Sequence, residues 1–407
     1  MQKKNLIFLT MDRFTDIERS GIYTSLLRKF RNEGYGVYVV TPYERSQGLP
    51  TKMVETGGVH ILGVRTLNLQ KTSIIEKGIG QVLVEDQYKS AIKKYLGNVK
   101  FDLILYSTPP ITFPKIIKYL KSKNPNAKTY LLLKDIFPQN ALDLGMMTES
   151  GIKGLLYRYF KNKEKQLYQL SDYIGCMSPA NVSYLLKHNP EIDASRVEVA
   201  PNSVELREEG LEMNEGDKLS MREKYGLPVD KPIFIYGGNL GKPQGIPFLL
   251  ECLKANSGRE DCHFMIVGSG TELPRLKKWM QEDQPHNVTI MEKLPKNDYD
   301  MLVRTCDVGL IFLDHRFTIP NFPSRLLSYL ENKMPVLCAT DPNTDMGKIA
   351  EENGFGYWCE SNSVEAFTRI LDKMINVDRK AMGEKGYDFL KKNYLVENTY
   401  NAIISHV

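Results

Sequence analysis

A chain of 407 residues is too long for one hydrophobic core and fits two α/β domains. With 42% hydrophobic and 25% charged residues the composition is that of a folded protein, without a low-complexity stretch or an apolar run near the roughly 20 residues that span a bilayer. Net charge is +5, but residues 1–200 hold 29 lysines and arginines against 18 carboxylates and residues 201–407 hold 25 against 31, so the front half either meets something anionic or presents a solvated lysine surface.

The first ten residues carry two lysines and the strand-like run NLIFLT, without the longer apolar core and small-residue cleavage site of a signal peptide. Further strand-like runs follow in order: GVYVVTP, FDLILYSTPP, KTYLLLKD, DYIGCMS and VEVAPN. Segments of helical period separate them, the first with Ile22, Leu26, Leu27 and Phe30 on one face and Gly34 and Gly36 closing it. Residues 201–230 are charged, poor in strand formers and carry Gly210 and Gly216, which reads as a linker with a short helix. The rhythm restarts at PIFIYGGN and continues through CHFMIVGSG, NVTIMEKLP, DVGLIFLD, MPVLCATD and GFGYWCES. Short apolar strands alternating with helices predict two doubly wound parallel sheets, with ligand in a cleft at the carboxyl ends of the strands.

Four strand-end loops have the composition of an anion site. Residues 10–23 place Ser20-Gly21 before a helix, where free N–H groups face an anion, although an ordinary cap reads equally well. Residues 236–245, YGGNLGKPQG, combine four glycines with Asn239, Lys242 and Gln244, more glycine than a plain turn needs, and the run is neither G-x-G-x-x-G nor a P-loop. Gly268, Ser269 and Gly270 open a third helix. In residues 319–337, Pro323, Ser324 and Arg325 lead into a fourth, where helix-terminal amides and one arginine make a pyrophosphate clamp. The cysteines Cys176, Cys252, Cys262, Cys306, Cys338 and Cys359 show no C-x-x-C pair and no metal-like spacing with the histidines, so thiols in a reducing cytoplasm are expected.

Basic amphipathic segments add a second theme. In residues 151–170, Ile152, Leu155, Leu156, Tyr159, Phe160, Leu167 and Leu170 fit one helical face, and Lys153, Arg158, Lys161, Lys163 and Lys165 accompany a single Glu164. FPKIIKYLKSK, residues 113–123, repeats the pattern. Such helices suit peripheral contact with an anionic membrane, while the commoner use of an apolar stripe is packing on a sheet.

Taken together, the segments resemble the family-four retaining glycosyltransferases of the GT-B fold, in the subgroup that builds bacterial capsule and O-antigen polysaccharide. RSGIYTSLLRKFRNEGYGVYVVTP, KDIFPQNALDLG, VAPNSVE, YGGNLGKPQGI, VGSGTELPRLKK, CDVGLIFLD and FPSRLLSYLENKMPVL are similar, in order, to the family's segments. The resemblance implies an acceptor domain over 1–202, a nucleotide-sugar domain over 203–394 and a final helix, 395–407, returning to the first. It implies transfer from a nucleotide-diphosphate sugar, a UDP-sugar first, to a lipid-linked saccharide, with no metal and no cofactor; no nucleic acid is expected, because no recognition motif accompanies the basic front half. Gly21, Gly238, Asn239, Lys242, Gln244, Gly268, Ser269, Gly270, Pro323, Ser324, Arg325 and Ser328 become donor-site candidates, and Lys134 and Asp135 catalytic ones.

Departures are specific. The family's Glu-x7-Glu falls on Pro320 and Ser328, its pyrophosphate-binding Arg and Lys fall on Asn239 and Gln244, and its first-domain His falls on Lys134. Lys242 and Arg325 are the candidate replacements for the lost positive charge. These departures keep open a catalytically silent nucleotide-binding relative. A sugar-nucleotide 2-epimerase shares the architecture but needs acid/base carboxylates and a histidine that have no counterpart here.

Overall fold

The computed structural model describes residues 3–19, 21–69, 74–206 and 213–407, so Ser20 and the Gly210 part of the expected linker lie outside the described residues. The chain divides into two compact units, Met1–Glu205 with Val396–Val407, and Leu206–Leu395.

The first unit runs β1 (Asn5–Leu9), α1 (Ile22–Asn32), β2 (Gly36–Glu44), β3 (Lys52–Thr56), β4 (Val59–Thr66), α2 (Ile74–Leu96), β5 (Leu103–Ser107), α3 (Pro114–Lys123), β6 (Lys128–Leu133), α4 (Gln139–Asp143), α5 (Gly151–Leu170), β7 (Tyr173–Cys176), α6 (Pro179–His188) and β8 (Val197–Val199). Its sheet has the order β3-β4-β2-β1-β5-β6-β7-β8. Inner strands such as β1 and β5 are predominantly apolar, as expected of a parallel sheet covered on both faces. Ile7, Leu9, Ile104 and Tyr106 enter one core, while Leu6, Phe8, Leu103 and Leu105 enter a second.

The sheet departs from an all-parallel design at one edge, where β3 pairs antiparallel with β4. The two strands turn through Gly57 and Gly58, at φ +55° and +74°, the positive pair that a two-residue hairpin needs.

The second unit runs α7 (Glu215–Lys224), β9 (Ile233–Asn239), α8 (Ile246–Ala255), β10 (His263–Ser269), α9 (Leu273–Asp283), β11 (Val288–Glu292), α10 (Lys296–Val303), β12 (Val308–Phe312), α11 (Arg325–Glu331), β13 (Val336–Thr340), α12 (Met346–Glu352), β14 (Gly356–Glu360), α13 (Val364–Ile375) and α14 (Arg379–Asn393). Its sheet has the order β11-β10-β9-β12-β13-β14 and every described pair is parallel. Helix α13 shows how the sequence fixes such packing. Ser363 caps it by accepting from Ala366 N, and Phe367, Ile370, Leu371 and Met374 form the buried stripe.

Helix α15 (Val396–Ile404) belongs to the first unit. Val396 N donates to Val204 O at 2.9 Å and Thr399 Oγ1 to Pro201 O at 3.0 Å. The rings of Tyr400 and Phe30 meet edge-on at 4.8 Å between centroids, and Ile403 is buried in the same core. Each apolar side chain fully buried this way contributes roughly 1.5–3 kcal/mol.

The basic helices divide differently from their sequence pattern. In α3, Ile116, Ile117 and Leu120 are all buried, so this helix is an ordinary sheet-packing element. In α5, Phe160 and Leu167 are buried with Tyr157 and Tyr168, whereas Ile152 is 87% and Leu155 62% exposed, and Leu156 and Tyr159 are exposed beside them. Nor do all the lysines face solvent: Lys163 is buried and donates to Glu85 Oε2 of α2 at 2.8 Å. Among the described residues no helix is long and apolar enough to cross a membrane, and all six cysteines are buried and free.

Candidate active site

Strand β9 has β10 on one side and β12 on the other, and chain order runs away from it in both directions. That reversal opens a crevice outside the carboxyl ends of β9 and β12, where doubly wound sheets take ligands. The loops leaving β9, β10 and β12 all start there.

Three of their glycines are there for packing. A Cβ on Gly268 would lie 2.0 Å from Gly238 O, one on Gly270 2.3 Å from the Leu240 carbonyl, and one on Gly245 2.8 Å from Leu313 O. Gly238 is different. It is exposed at φ +129°, a conformation closed to most L residues, and the nearest atom to an added Cβ would be Arg325 Nη2 at 3.6 Å. The missing side chain therefore leaves a path to the guanidinium.

Arg325, the first residue of α11, is half-buried and lies over the ring of Tyr236 with its guanidinium carbon 4.3 Å from the centroid. Its Nη2 donates to Gln244 Oε1 at 2.5 Å, and its Nη1 is buried with no hydrogen-bond partner. Two further tyrosines stand close: Tyr329 Oη donates to Ile235 O at 3.1 Å, and a Cβ on Gly237 would strike Tyr299 Oη. Arg325 has no ion pair among the described residues. A buried guanidinium lacking a carboxylate is costly unless an anion completes it.

Around this arginine the structure brings together Gly238, Asn239 and Gln244, with Lys242 exposed on the same 3-10 turn and unpaired among the described residues. Asp314 N donates to Pro243 O at 3.2 Å, fastening the loop after β12 to that turn. Asp314 is itself held by the Arg316 fork at 2.9 and 2.8 Å; burial pushes its carboxyl upward, but these donors keep it below the usual carboxylate range. Ser324, exposed, precedes α11, and Ser328 is half-buried one turn on, with Pro323 before them. Ser269 is exposed at the end of β10, its carbonyl accepting from Leu240 N at 2.9 Å.

The first unit has its own reversal, between β2 and β5 on either side of β1. Lys134 and Asp135 follow β6 on this carboxyl edge, and their amides donate to Thr108 Oγ1 at 3.0 and 3.2 Å. Their side chains diverge. Lys134 Nζ donates to Ala200 O at 2.8 Å, and burial lowers its pKa to about 7. The Asp135 carboxylate accepts from Asn140 Nδ2 at 2.9 and 3.0 Å, and burial raises its pKa to about 6 despite that donor. Gly21 precedes α1 in extended backbone, φ 173°, so conformation does not demand glycine there, and an added Cβ would press on Thr24 Oγ1 at 3.2 Å.

Sequence reasoning did not single out Tyr236, Tyr299 and Tyr329 around Arg325, nor Thr108 and Asn140 beside the Lys134–Asp135 pair. The signal available was Tyr236 directly before the glycine run. Among the described residues no three His, Cys, Asp or Glu side chains converge as metal ligands.

Residues 217–389 match the family described as glycosyl transferases group 1. The chain is 22% identical over 376 residues, 91% of itself and 89% of the relative, to a probable glycosyltransferase WbjE of Pseudomonas aeruginosa. It is 25% identical over 223 residues, 51% of itself and 55% of the relative, to an Escherichia coli UDP-Gal:alpha-D-GlcNAc-diphosphoundecaprenol alpha-1,3-galactosyltransferase. Anabaena Alr3699/HepE, solved with UDP, superposes with a TM-score of 0.68 at 12% identity, covering 99% of each chain, and the two parallel-sheet units have the GT-B fold.

Proposed function

With residues 217–389 a glycosyl transferase group 1 domain, and the protein a glycosyltransferase, we propose that it moves a sugar with retention of configuration from a UDP-sugar to a lipid-linked saccharide in the assembly of a bacterial surface polysaccharide. The observation that carries the donor half is Arg325, whose buried Nη1 has no protein partner and whose Nη2 is oriented by Gln244. In this reading Arg325 and Lys242 take the charge that grows on the leaving diphosphate, beside Gly238 and Ser324. Stabilising charge that appears only in the transition state is where such a site gains rate.

The bond from the sugar's anomeric carbon to the diphosphate oxygen breaks, and one to the acceptor oxygen forms on the same face. The acceptor's hydroxyl proton passes to the departing phosphate, so no protein base is required. The relative that acts on a diphosphoundecaprenol-linked sugar supports a lipid-linked acceptor. Lys134 would meet its phosphate and Asp135 a sugar hydroxyl, and Ser328 a hydroxyl of the donor ribose.

A long lipid carrier brings the enzyme to a cytoplasmic membrane face. Exposed Ile152, Leu155, Leu156 and Tyr159, with Lys153 and Arg158 beside them, support peripheral docking through the first half of α5.

The direct test is a thermal-shift titration with UDP and a panel of nucleotide sugars. A donor raises the melting temperature in proportion to the logarithm of its excess over Kd. A shift with no nucleoside diphosphate released when acceptor is added favours the silent nucleotide-binding relative, and no shift with any of them removes the donor reading.

A further inference from the structure

We infer that Tyr329 is a positioning residue for the donor: its buried hydroxyl fixes the backbone at Gly238 where the nucleotide diphosphate sits, in step with Arg325. The inference rests on the donor reading above and names the group that preorganises that site.

Strands β9 and β12 part at the crevice. Their pairing covers Val308–Phe234 and Gly309–Ile235, whereas β9 and β10 stay paired as far as Ser269–Asn239. Past Ile235 the Tyr329 side chain meets the β12 side of β9. Its hydroxyl donates to Ile235 O at 3.1 Å, has Leu310 O of β12 at 3.4 Å, and accepts from Gly237 N at 3.3 Å. One oxygen thus satisfies backbone groups on both strands across the split. Tyr329 is fully buried, and burial pushes its pKa well above the ordinary value, so the hydroxyl keeps its proton.

The neighbouring sequence is cut to admit this arrangement. A Cβ on Gly309 would strike the Tyr329 ring, and one on Gly237 would strike the Tyr299 hydroxyl.

Two hydroxyls hold Gly238 from either side. Tyr329 takes the amide of the residue before it, and Tyr236 Oη donates to the carbonyl of Asn239, the residue after it, at 2.8 Å. Tyr236 also carries the Arg325 guanidinium on its ring, and Arg325 precedes Tyr329 by one turn of α11. The glycine backbone and the guanidinium therefore share one support. A phenylalanine ring would fill the same space. What the hydroxyl adds is a fixed direction for the Gly237–Gly238 peptide, and dipoles held in place beforehand are what a growing negative charge rewards.

The test compares the full-length wild type with Tyr329→Phe and with Met374→Ala, a core change on α13. Calorimetric titration with UDP, GDP, ADP and dTDP, beside saturation-transfer NMR with the matching nucleosides, separates phosphate from base contacts. In Tyr329→Phe the Kd of the diphosphate that binds is expected to rise about tenfold, with nucleoside binding and the acceptor KM unchanged. Hydrogen exchange at the Gly237 amide should quicken about tenfold in Tyr329→Phe and keep its wild-type rate in Met374→Ala. Tyr236→Phe keeps the ring under Arg325 and loses the other flanking bond, so it should raise the diphosphate Kd as well, and it decides the matter if Tyr329→Phe does not fold. An unchanged diphosphate Kd, an equal loss of nucleoside binding, or a matching rise in Met374→Ala overturns the inference. A wild type that binds no diphosphate ends the donor reading and this inference with it, whereas wild-type binding that Tyr329→Phe leaves unaltered ends this inference alone.

Discussion

Arg325 rests on Tyr236 with 4.3 Å between guanidinium carbon and ring centroid, although 89 positions separate the two along the chain. Stacking on a neutral ring leaves the positive charge uncompensated, while the bond to Gln244 fixes the direction in which the fork points. Arg325→Ala is therefore expected to lower kcat on the order of 10²–10³-fold, the scale of losing one preorganised donor at a developing charge. The melting temperature should move by only a few degrees, because what is lost in the fold is one cation–ring contact and the hydrogen bond to Gln244. Arg325→Lys should recover part of the rate, since charge survives and the fork does not. Steady-state kinetics beside thermal unfolding read both; wild-type turnover in Arg325→Ala would remove this residue from the site.

Gly238→Ala probes the opening to that arginine. An L residue at φ +129° is strained, at roughly 1–3 kcal/mol, and its methyl would project toward Arg325 Nη2. Both a lower unfolding free energy and a higher KM for donor are expected, with the acceptor KM unchanged. Chemical denaturation and initial rates at varied donor give the two numbers.

Lys134 and Asp135 make a pH prediction with opposite signs. With its native pKa lowered to about 7, Lys134 binds fewer protons than the unfolded chain between about pH 7 and its ordinary value near 10.5, so stability rises with pH across that window. Asp135, raised to about 6, binds more protons than the unfolded chain between its ordinary value near 3.8 and 6, so stability falls with rising pH there. Asp135→Asn should accordingly be more stable than wild type above pH 6, by on the order of 3 kcal/mol at most, and should match it below about pH 4. If Lys134 meets acceptor phosphate as ammonium, the acceptor KM climbs as pH passes 7, and Lys134→Arg flattens that limb. Denaturation at several pH values and a pH–KM profile check the pair.

Docking through α5 predicts that Ile152→Glu with Leu155→Glu cuts co-sedimentation with anionic vesicles at least about tenfold, since each buried aliphatic side chain is worth roughly 1.5–3 kcal/mol. Folding should be untouched, because both side chains are mostly exposed. Unchanged vesicle binding would end the docking claim.

The six strands of the second sheet were legible because strands covered on both faces read as unbroken apolar runs such as Phe234 to Tyr236 and Val308 to Phe312. The hairpin of β3 and β4 was not. Its outer strand KMVET is half-exposed, and Gly63 interrupts β4 where any Cβ would strike the Tyr43 ring. Gly57-Gly58 was the available sign. At the candidate site, spacing pointed to the loops and to Arg325, but the contacts with Tyr236 and Gln244 arise from strand order, which spacing does not encode. Helical periodicity in α5 separated apolar from polar positions, yet which half of the stripe meets a neighbour depends on α2 and α3 packing beside it.

Because α15 follows the whole second unit in sequence yet completes the core around Phe30, the first unit is a discontinuous domain. During synthesis its amino-terminal portion must wait for about 190 intervening residues before Tyr400 and Ile403 emerge to seal it. A chain released before α15 has emerged exposes that apolar seam to chaperones and proteases.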